Sequence, residues 1–270
     1  MALDDSEMNG LLYHEGFPLA SKYDARWILE NQMGPNALWL TEWLCRDMKL
    51  QPGMRVLDLG CGRAISSIFL AKEYGVQVWA SNYWESTSDN WARVREAGLA
   101  DRVFPIKAEA RALPFAHEFF DAIVCVDSYI YYGTDDLYLD YLTKFVVPGG
   151  RLGITHGGLT KDFEGPVPEH IRPFWGQDCW GWHTAKWWRQ LWDRTGLVDV
   201  EVCDMLPHAN ATYLQWKKAR LAATRAHEVT NEAAEETRRK EIDSVSTDIG
   251  VLEADAGQYL GFIRMVARRV

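Results

Sequence analysis

The segment Val56-Leu57-Asp58-Leu59-Gly60-Cys61-Gly62 holds the most concentrated chemistry in the chain. An apolar run ends in Gly-x-Gly and a helical stretch follows. Glycine at such a turn adopts backbone angles that a β-carbon forbids and lets a ligand approach the main chain. A dinucleotide site places a third glycine three residues on, bringing a helix N-terminus against the pyrophosphate, but that position here is Ile65. The spacing argues against NAD or FAD, whereas a ligand with an amino-acid tail does not need that close approach.

Two further segments could face a second reactant: Ser128-Tyr129-Ile130-Tyr131-Tyr132-Gly133 and His156-Gly157-Gly158. A histidine titrating near neutrality can take a proton from a nucleophile or orient it. His156 is either that group or a histidine satisfied within a loop. Tyr131 and Tyr132 are either hydrogen-bond donors on a pocket wall or packing residues. His183 lies inside a run of six tryptophans, Trp175, Trp180, Trp182, Trp187, Trp188 and Trp192. Of these, the helical ones read as core, while Trp175, Trp180 and Trp182 suit a pocket or packing equally. The seven histidines show no ligand spacing and the five cysteines form no Cys-x-x-Cys pair, so no metal is expected. Neither a phosphate loop nor a Gly-x-Ser-x-Gly elbow occurs.

The elements that must position these residues follow from periodicity. Leu38, Leu40, Trp43, Leu44 and Met48 mark a helix over 37–48, opened by the break Gly34-Pro35-Asn36 and closed by Gln51-Pro52-Gly53. Short apolar runs then alternate with helical stretches: strand 55–59, helix 64–74, strand 76–80, helix 87–97 and strand 103–107. Strand 120–126, helix 137–145, strand 151–155, helix 185–195 with Thr184 as its cap, and strand 198–203 complete the alternation. The pattern predicts βαβ units around a parallel sheet buried on both faces. Residues 213–255, rich in Ala, Glu, Lys and Arg, predict one or two long helices before a last strand at 259–267.

Composition narrows the class. A 270-residue chain with 47% hydrophobic and 25% charged residues suits one α/β domain with a cap. Its formal charge of −9 argues against a nucleic-acid partner. No apolar run is long enough to span a bilayer, so no membrane partner is expected. The acidic start is unlike a secretory signal, and scattered, odd-numbered cysteines fit a reducing cytoplasm.

The Gly60–Gly62 segment resembles motif I of the class I S-adenosylmethionine-dependent methyltransferases. Further matches follow in order. Ala108-Glu109-Ala110 with Leu113-Pro114-Phe115 resembles the adenine loop, residues 120–127 the fourth strand and its mouth, and Phe145-Val146-Val147-Pro148-Gly149-Gly150 the turn before the fifth strand. A looser similarity is to the cyclopropane fatty acid synthase-like group. The resemblance implies a Rossmann-like, doubly wound, mostly parallel seven-stranded sheet with a helical cap. It divides one domain into a helical lid over 1–50, a core over 51–212 and 257–270, and a helical insertion over 213–256.

The same resemblance implies that Asp58, Gly60, Cys61 and Gly62 hold the methionine portion of S-adenosylmethionine. It puts Glu109 and Ala110 at the adenine, and Asp127 and Ser128 beneath the ribose and sulfonium. The second strand departs from the family pattern. Where a carboxylate usually grips both ribose hydroxyls stands Asn82, whose amide offers one donor and one acceptor. Tyr83 and Trp84 could stack on the adenine. His156, Tyr131, Tyr132 and His183 are expected on the acceptor side, beneath a lid of Tyr23, Trp27 and residues 31–36. The implied activity is methyl transfer to a small molecule through an N, S, C or O nucleophile. A lipid-modifying enzyme and a non-catalytic S-adenosylmethionine-binding protein are the alternatives.

Overall fold

The computed structural model describes residues 3–227, 229 and 231–270. The ends of the expected lid and the middle of the expected insertion (residues 1, 2, 228 and 230) lie outside the described residues. Three helices come first: α1 (Asp5–Leu12), α2 (Ala25–Asn31) and α3 (Ala37–Met48). β1 (Arg55–Leu59), α4 (Ile65–Tyr74), β2 (Gln77–Asn82), α5 (Thr87–Glu96) and β3 (Val103–Lys107) follow. The second half runs β4 (Phe120–Val126), α6 (Tyr138–Thr143), β5 (Val146–Leu159), α7 (Ala185–Asp193) and β6 (Val198–Met205). It ends with α8 (Ala209–Ala226), α9 (Glu232–Asp255) and β7 (Leu260–Arg269).

The sheet order is β3-β2-β1-β4-β5-β7-β6, parallel except for β7, which runs antiparallel to both β5 and β6. This is the expected doubly wound, seven-stranded sheet. Strand order reverses between β1 and β4, and a crevice opens beyond their carboxyl ends at such a switch point. The inner strands are largely apolar because helices cover both faces: Ala122 to Val126 and Met265 to Ala267 are buried without a break.

Local chemistry explains several helix starts. Asn36 accepts from the amides of Leu38 and Trp39, and Thr184 accepts from Trp187. On α7, Trp188, Leu191 and Trp192 form the buried stripe, as their spacing implied.

One boundary differs with consequence. The fifth strand was expected to end at Thr155, leaving His156-Gly157-Gly158 in a loop. Instead β5 continues to Leu159, because β7 pairs with it from Arg151↔Arg268 to Leu159↔Leu260. The two glycines mark close packing rather than a turn. A β-carbon on Gly157 would overlap the Trp182 ring, and one on Gly158 would lie 2.7 Å from Ile263 Cγ2.

The helices between β6 and β7 pack against the N-terminal segment. Gln215 Nε2 donates to Tyr13 O at 2.8 Å, and Trp216 Nε1 donates to Gly34 O at 3.0 Å. Within the helical pair, Lys217 bonds Asp248 at 2.6 Å and Arg220 bonds Glu241 at 3.1 Å. Across the sheet, Arg264 of β7 bonds Asp204 of β6 and the carbonyl of Trp43 on α3. No helix among the described residues is long and apolar enough to cross a membrane.

Candidate active site

A cavity of about 720 Å³ lies beyond the carboxyl ends of β1, β2 and β4, roofed by residues 31–37. Its floor is the glycine turn. Gly60 has φ +78° and Gly62 φ +52°, and both face the cavity. A β-carbon on Gly60 would overlap Ser128 Oγ, and one on Gly62 would come within 2.8 Å of Met33 Sδ in the roof. The turn is held from behind: the amides of Gly60 and Cys61 donate to Ser81 O at 3.0 and 2.9 Å. From the side, Asn90 Nδ2 donates to Gly62 O at 2.9 Å. Cys61 lines the cavity, and burial holds its thiol well above the ordinary range, so it stays unreactive.

Asp58 does not reach this cavity, contrary to the expectation for a cofactor contact. Its Oδ2 accepts from Ser66 and Ser67, each at 2.6 Å, which fastens β1 to the first turn of α4. Burial pushes its carboxyl up to about 6, against the pull of the two hydroxyls. Its influence on the site is indirect, through the placement of α4.

The walls carry most of the other expected residues. Asn82, at the end of β2, is 9% exposed and lines the cavity, and its Nδ2 is buried with no hydrogen-bond partner among the described residues. Tyr83 and Trp84 form the outer rim, their rings 5.3 Å apart and edge to face. Trp84 is 84% exposed. Glu109 and Ala110 line the wall after β3, where Glu109 Oε2 accepts from the Arg111 amide at 2.8 Å.

At the mouth of β4, Asp127 takes the left-handed conformation, φ +57°, and its amide donates to Thr155 O at 2.7 Å. Burial pushes its carboxyl up to about 7; a hydrogen bond from the Gly157 backbone and the Lys217 ammonium oppose that shift, and Asp178 adds to it. Ser128 Oγ donates to Leu59 O at 2.9 Å and lies 2.8 Å from Tyr132 Oη. Cys125 Sγ closes the triangle, 3.1 Å from Ser128 Oγ and 3.3 Å from Tyr132 Oη. Tyr132 therefore supports the residue that Gly60 packs against. Tyr131 is 54% exposed, and its hydroxyl donates to Asp178 Oδ1 at 3.3 Å.

The two histidines lie elsewhere. His156 is 0% exposed within the β5–β7 ladder, with Nδ1 2.7 Å from Gly157 O and its ring against the edge of Trp188 at 5.0 Å. Burial lowers its pKa to about 4, so it is neutral, and it does not line the cavity. His183 stacks on Trp187 at 3.8 Å, burial lowers its pKa too, and it is likewise absent from the cavity wall. Neither is placed to take a proton from a bound acceptor. The antiparallel ladder and the tryptophan cluster absorb them as packing residues.

Several wall residues escaped the sequence reading: Arg63, Arg111 and Asp178. Asp178 had a visible signal, as the acid at the centre of the Gly-rich loop already singled out for its tryptophans. Among the described residues, no group of His, Cys, Asp and Glu could hold a metal ion.

The glycine turn, the β2 amide and the cavity come together at the switch point of a doubly wound α/β domain. Comparison narrows the class. Residues 56–150 match the family model of a methyltransferase domain. A methyltransferase GfsG of Streptomyces halstedii is 34% identical over 116 residues, 43% of this chain and 42% of that protein. A demethylmenaquinone methyltransferase of Mycobacterium sp. (strain KMS) is 32% identical over 145 residues, 50% of this chain and 57% of that protein. The chain thus spans only about half the length of the curated relatives it matches. In fold it superposes on a methyltransferase of Geobacter sulfurreducens solved with S-adenosylhomocysteine. The TM-score is 0.67 at 20% identity, over 85% of this chain and 90% of that one. Residues 56–150 thus match a methyltransferase domain, and the chain shares its fold with a solved methyltransferase.

Proposed function

We propose that this protein transfers a methyl group from S-adenosylmethionine to a small-molecule acceptor. The observation that carries the reading is Asn82, a buried amide donor with no protein partner on a cavity wall. An unsatisfied buried donor costs about 1–3 kcal/mol, and a ribose hydroxyl would relieve that cost. The glycine turn supports the same assignment, since β-carbons at Gly60 and Gly62 would collide with Ser128 and Met33. A volume of about 720 Å³ lies within the range of small-molecule pockets, roughly 300–1,000 Å³.

In this reading Asn82, Glu109 and Ala110 hold the nucleoside, and Gly60, Cys61 and Gly62 hold the amino-acid tail. When bound, S-adenosylmethionine supplies a methyl group already activated by its sulfonium. The protein's tasks are then to orient, to exclude water and to manage a proton. Residues 31–37 roof the cavity, and Ser128 with Tyr132 keeps the glycine turn in register. Residues 1–50 act as lid and 213–256 as an insertion bracing it. The protein works in the cytoplasm, without a nucleic-acid or membrane partner.

Thermal denaturation tests the assignment. S-adenosylhomocysteine is expected to raise Tm and NAD to leave it unchanged, because a ligand bound only by the native state stabilises it. Gly60→Val should remove the shift. A shift with NAD alone would reject the cofactor.

A further inference from the structure

The end of the cavity away from Asn82 is acidic and aromatic. Asp127 lines it from β4, and Asp178 lines it from the loop before α7. No side chain donates a hydrogen bond to Asp127 among the described residues; the Gly157 backbone amide does. Its Oδ2 lies so close to the roof that a β-carbon on Gly34 would come within 2.5 Å. Tyr131 and Tyr132 line the same wall, Tyr131 donating to Asp178 at 3.3 Å and the Tyr132 ring lying 5.9 Å from the Arg111 guanidinium.

The cations nearby are already engaged. Arg63 pairs with Glu85 at 3.5 Å and Arg111 with Glu109 at 3.6 Å. From α8, Lys217 acts on Asp127 but bonds Asp248 of α9 at 2.6 Å, and Arg220 bonds Glu241. Asp127 thus shares the Lys217 ammonium with Asp248, and Asp178 forms no ion pair among the described residues. Two carboxylates with at most one shared counter-charge, on a wall that also carries a half-exposed tyrosine ring, attract a cation through charge and through the ring face.

We propose that the methyl acceptor is a primary or secondary amine, bound as its ammonium between Asp127 and Asp178, with Asp127 receiving the proton that frees the nitrogen lone pair. The inference rests on the methyl-transfer reading and names the acceptor class for that site. The nitrogen-bound proton passes to an Asp127 carboxylate oxygen. The freed lone pair forms the C–N bond as the S–C bond of the methylsulfonium donor breaks, and that bond's electron pair leaves on the neutral thioether. The product is again an ammonium, so charge balances. A carboxyl held up to about 7 is a competent acceptor for this proton. His156 and His183, away from the cavity, do not compete for the role.

The test uses the full chain saturated with S-adenosylhomocysteine, titrated calorimetrically with benzylamine, N-methylbenzylamine, benzyl alcohol and benzoate. The amines are expected to bind at least about tenfold more tightly than benzyl alcohol, with benzoate weakest. Amine affinity should rise with pH through about 7, as Asp127 ionises. Labelled methyl from S-adenosylmethionine should appear on the amines alone. Asp127→Asn and Asp178→Asn should each weaken amine binding about tenfold, and Asp178→Asn should leave S-adenosylhomocysteine affinity within about twofold. Asparagine tolerates the left-handed angles at position 127, so the first variant should fold, and its Tm checks this. Equal binding of benzyl alcohol or benzoate overturns the proposal. So does an Asp127→Asn loss of S-adenosylhomocysteine affinity matching the amine loss, which would assign the carboxylate to the cofactor's own ammonium. Failure of the wild-type chain to bind S-adenosylhomocysteine would instead overturn the methyl-transfer reading beneath it.

Discussion

Tyr132 illustrates how one hydroxyl can link two halves of a site. Its ring is buried on the cavity wall, yet its oxygen reaches Ser128 and Cys125 beneath the glycine turn. Tyr132→Phe keeps the ring and deletes those bonds, so it should weaken S-adenosylhomocysteine binding by about 0.5–1.5 kcal/mol. Calorimetry giving unchanged affinity would confine Tyr132 to the acceptor side. Asn82→Ala should weaken the same ligand by about 0.5–1.5 kcal/mol through loss of a neutral hydrogen bond. If affinity is unaltered, the ribose is held elsewhere. Asp127 brings a pH dependence. Its carboxyl sits at about 7 when folded, whereas an unfolded aspartate titrates near about 4. The folded chain therefore holds an extra proton between those values, and this group's contribution to stability declines as pH rises through the window. Relative to wild type, Asp127→Asn should gain stability between about pH 5 and about pH 7.5, read from urea midpoints. A constant difference would refute the raised value.

At the scale of elements, the lid is fastened to the floor by a short polar chain. Arg93 of α5 donates to Asn31 at the end of α2 at 2.6 Å and to Asn90 at 3.0 Å. Asn90 in turn holds Gly62 O, and Arg63 Nη1 donates to Glu30 O at 2.9 Å. These contacts connect the roof residues Asn31 and Met33 to the turn that they cover. Arg93→Ala cuts the chain at its centre and should speed S-adenosylhomocysteine release several-fold in stopped-flow measurements. Most of the effect should fall on dissociation, because a ligand's residence time depends on the roof that must open. An unchanged release rate would mean that the roof is held by packing alone.

Across the whole molecule, α8 and α9 brace the lid against the sheet. Trp216 bonds Gly34 O in the roof, and the adjacent Lys217 is 6% exposed and bonded to Asp248. Removing one partner of a buried ion pair strands the other, at about 3 kcal/mol or more. Lys217→Ala should therefore lower unfolding stability by about 3 kcal/mol. It should also raise the Asp127 pKa further, since Lys217 is one of the influences holding it down. Denaturant titration and the pH profile of amine binding report the two effects separately.

The fold was largely written in local pattern. The bounds of α3, β1, β3 and β4 follow to the residue from apolar periodicity and from turn residues such as Pro52-Gly53, and Thr184 announces α7. Such signals act within a few positions, so a single chain displays them. Gly60, Gly62 and Asn82 were legible for the same reason, because each ends or follows a strand at the switch point. The acceptor side was not legible. Whether His156 faces a ligand depends on where β5 stops, and that is set by β7, about 100 residues away in sequence through Leu159↔Leu260 and its neighbours. Asp178 reaches the cavity because Trp182 packs on Gly157 and seats its loop there. Tyr132 turns inward because Ser128 and Cys125 offer its hydroxyl partners that water would otherwise supply. Sequence determined the sheet, its glycine turn and the cavity wall at Asn82 through short-range chemistry. Tertiary packing alone decided which acids and rings meet at the other end, because those contacts join segments that carry no local record of one another.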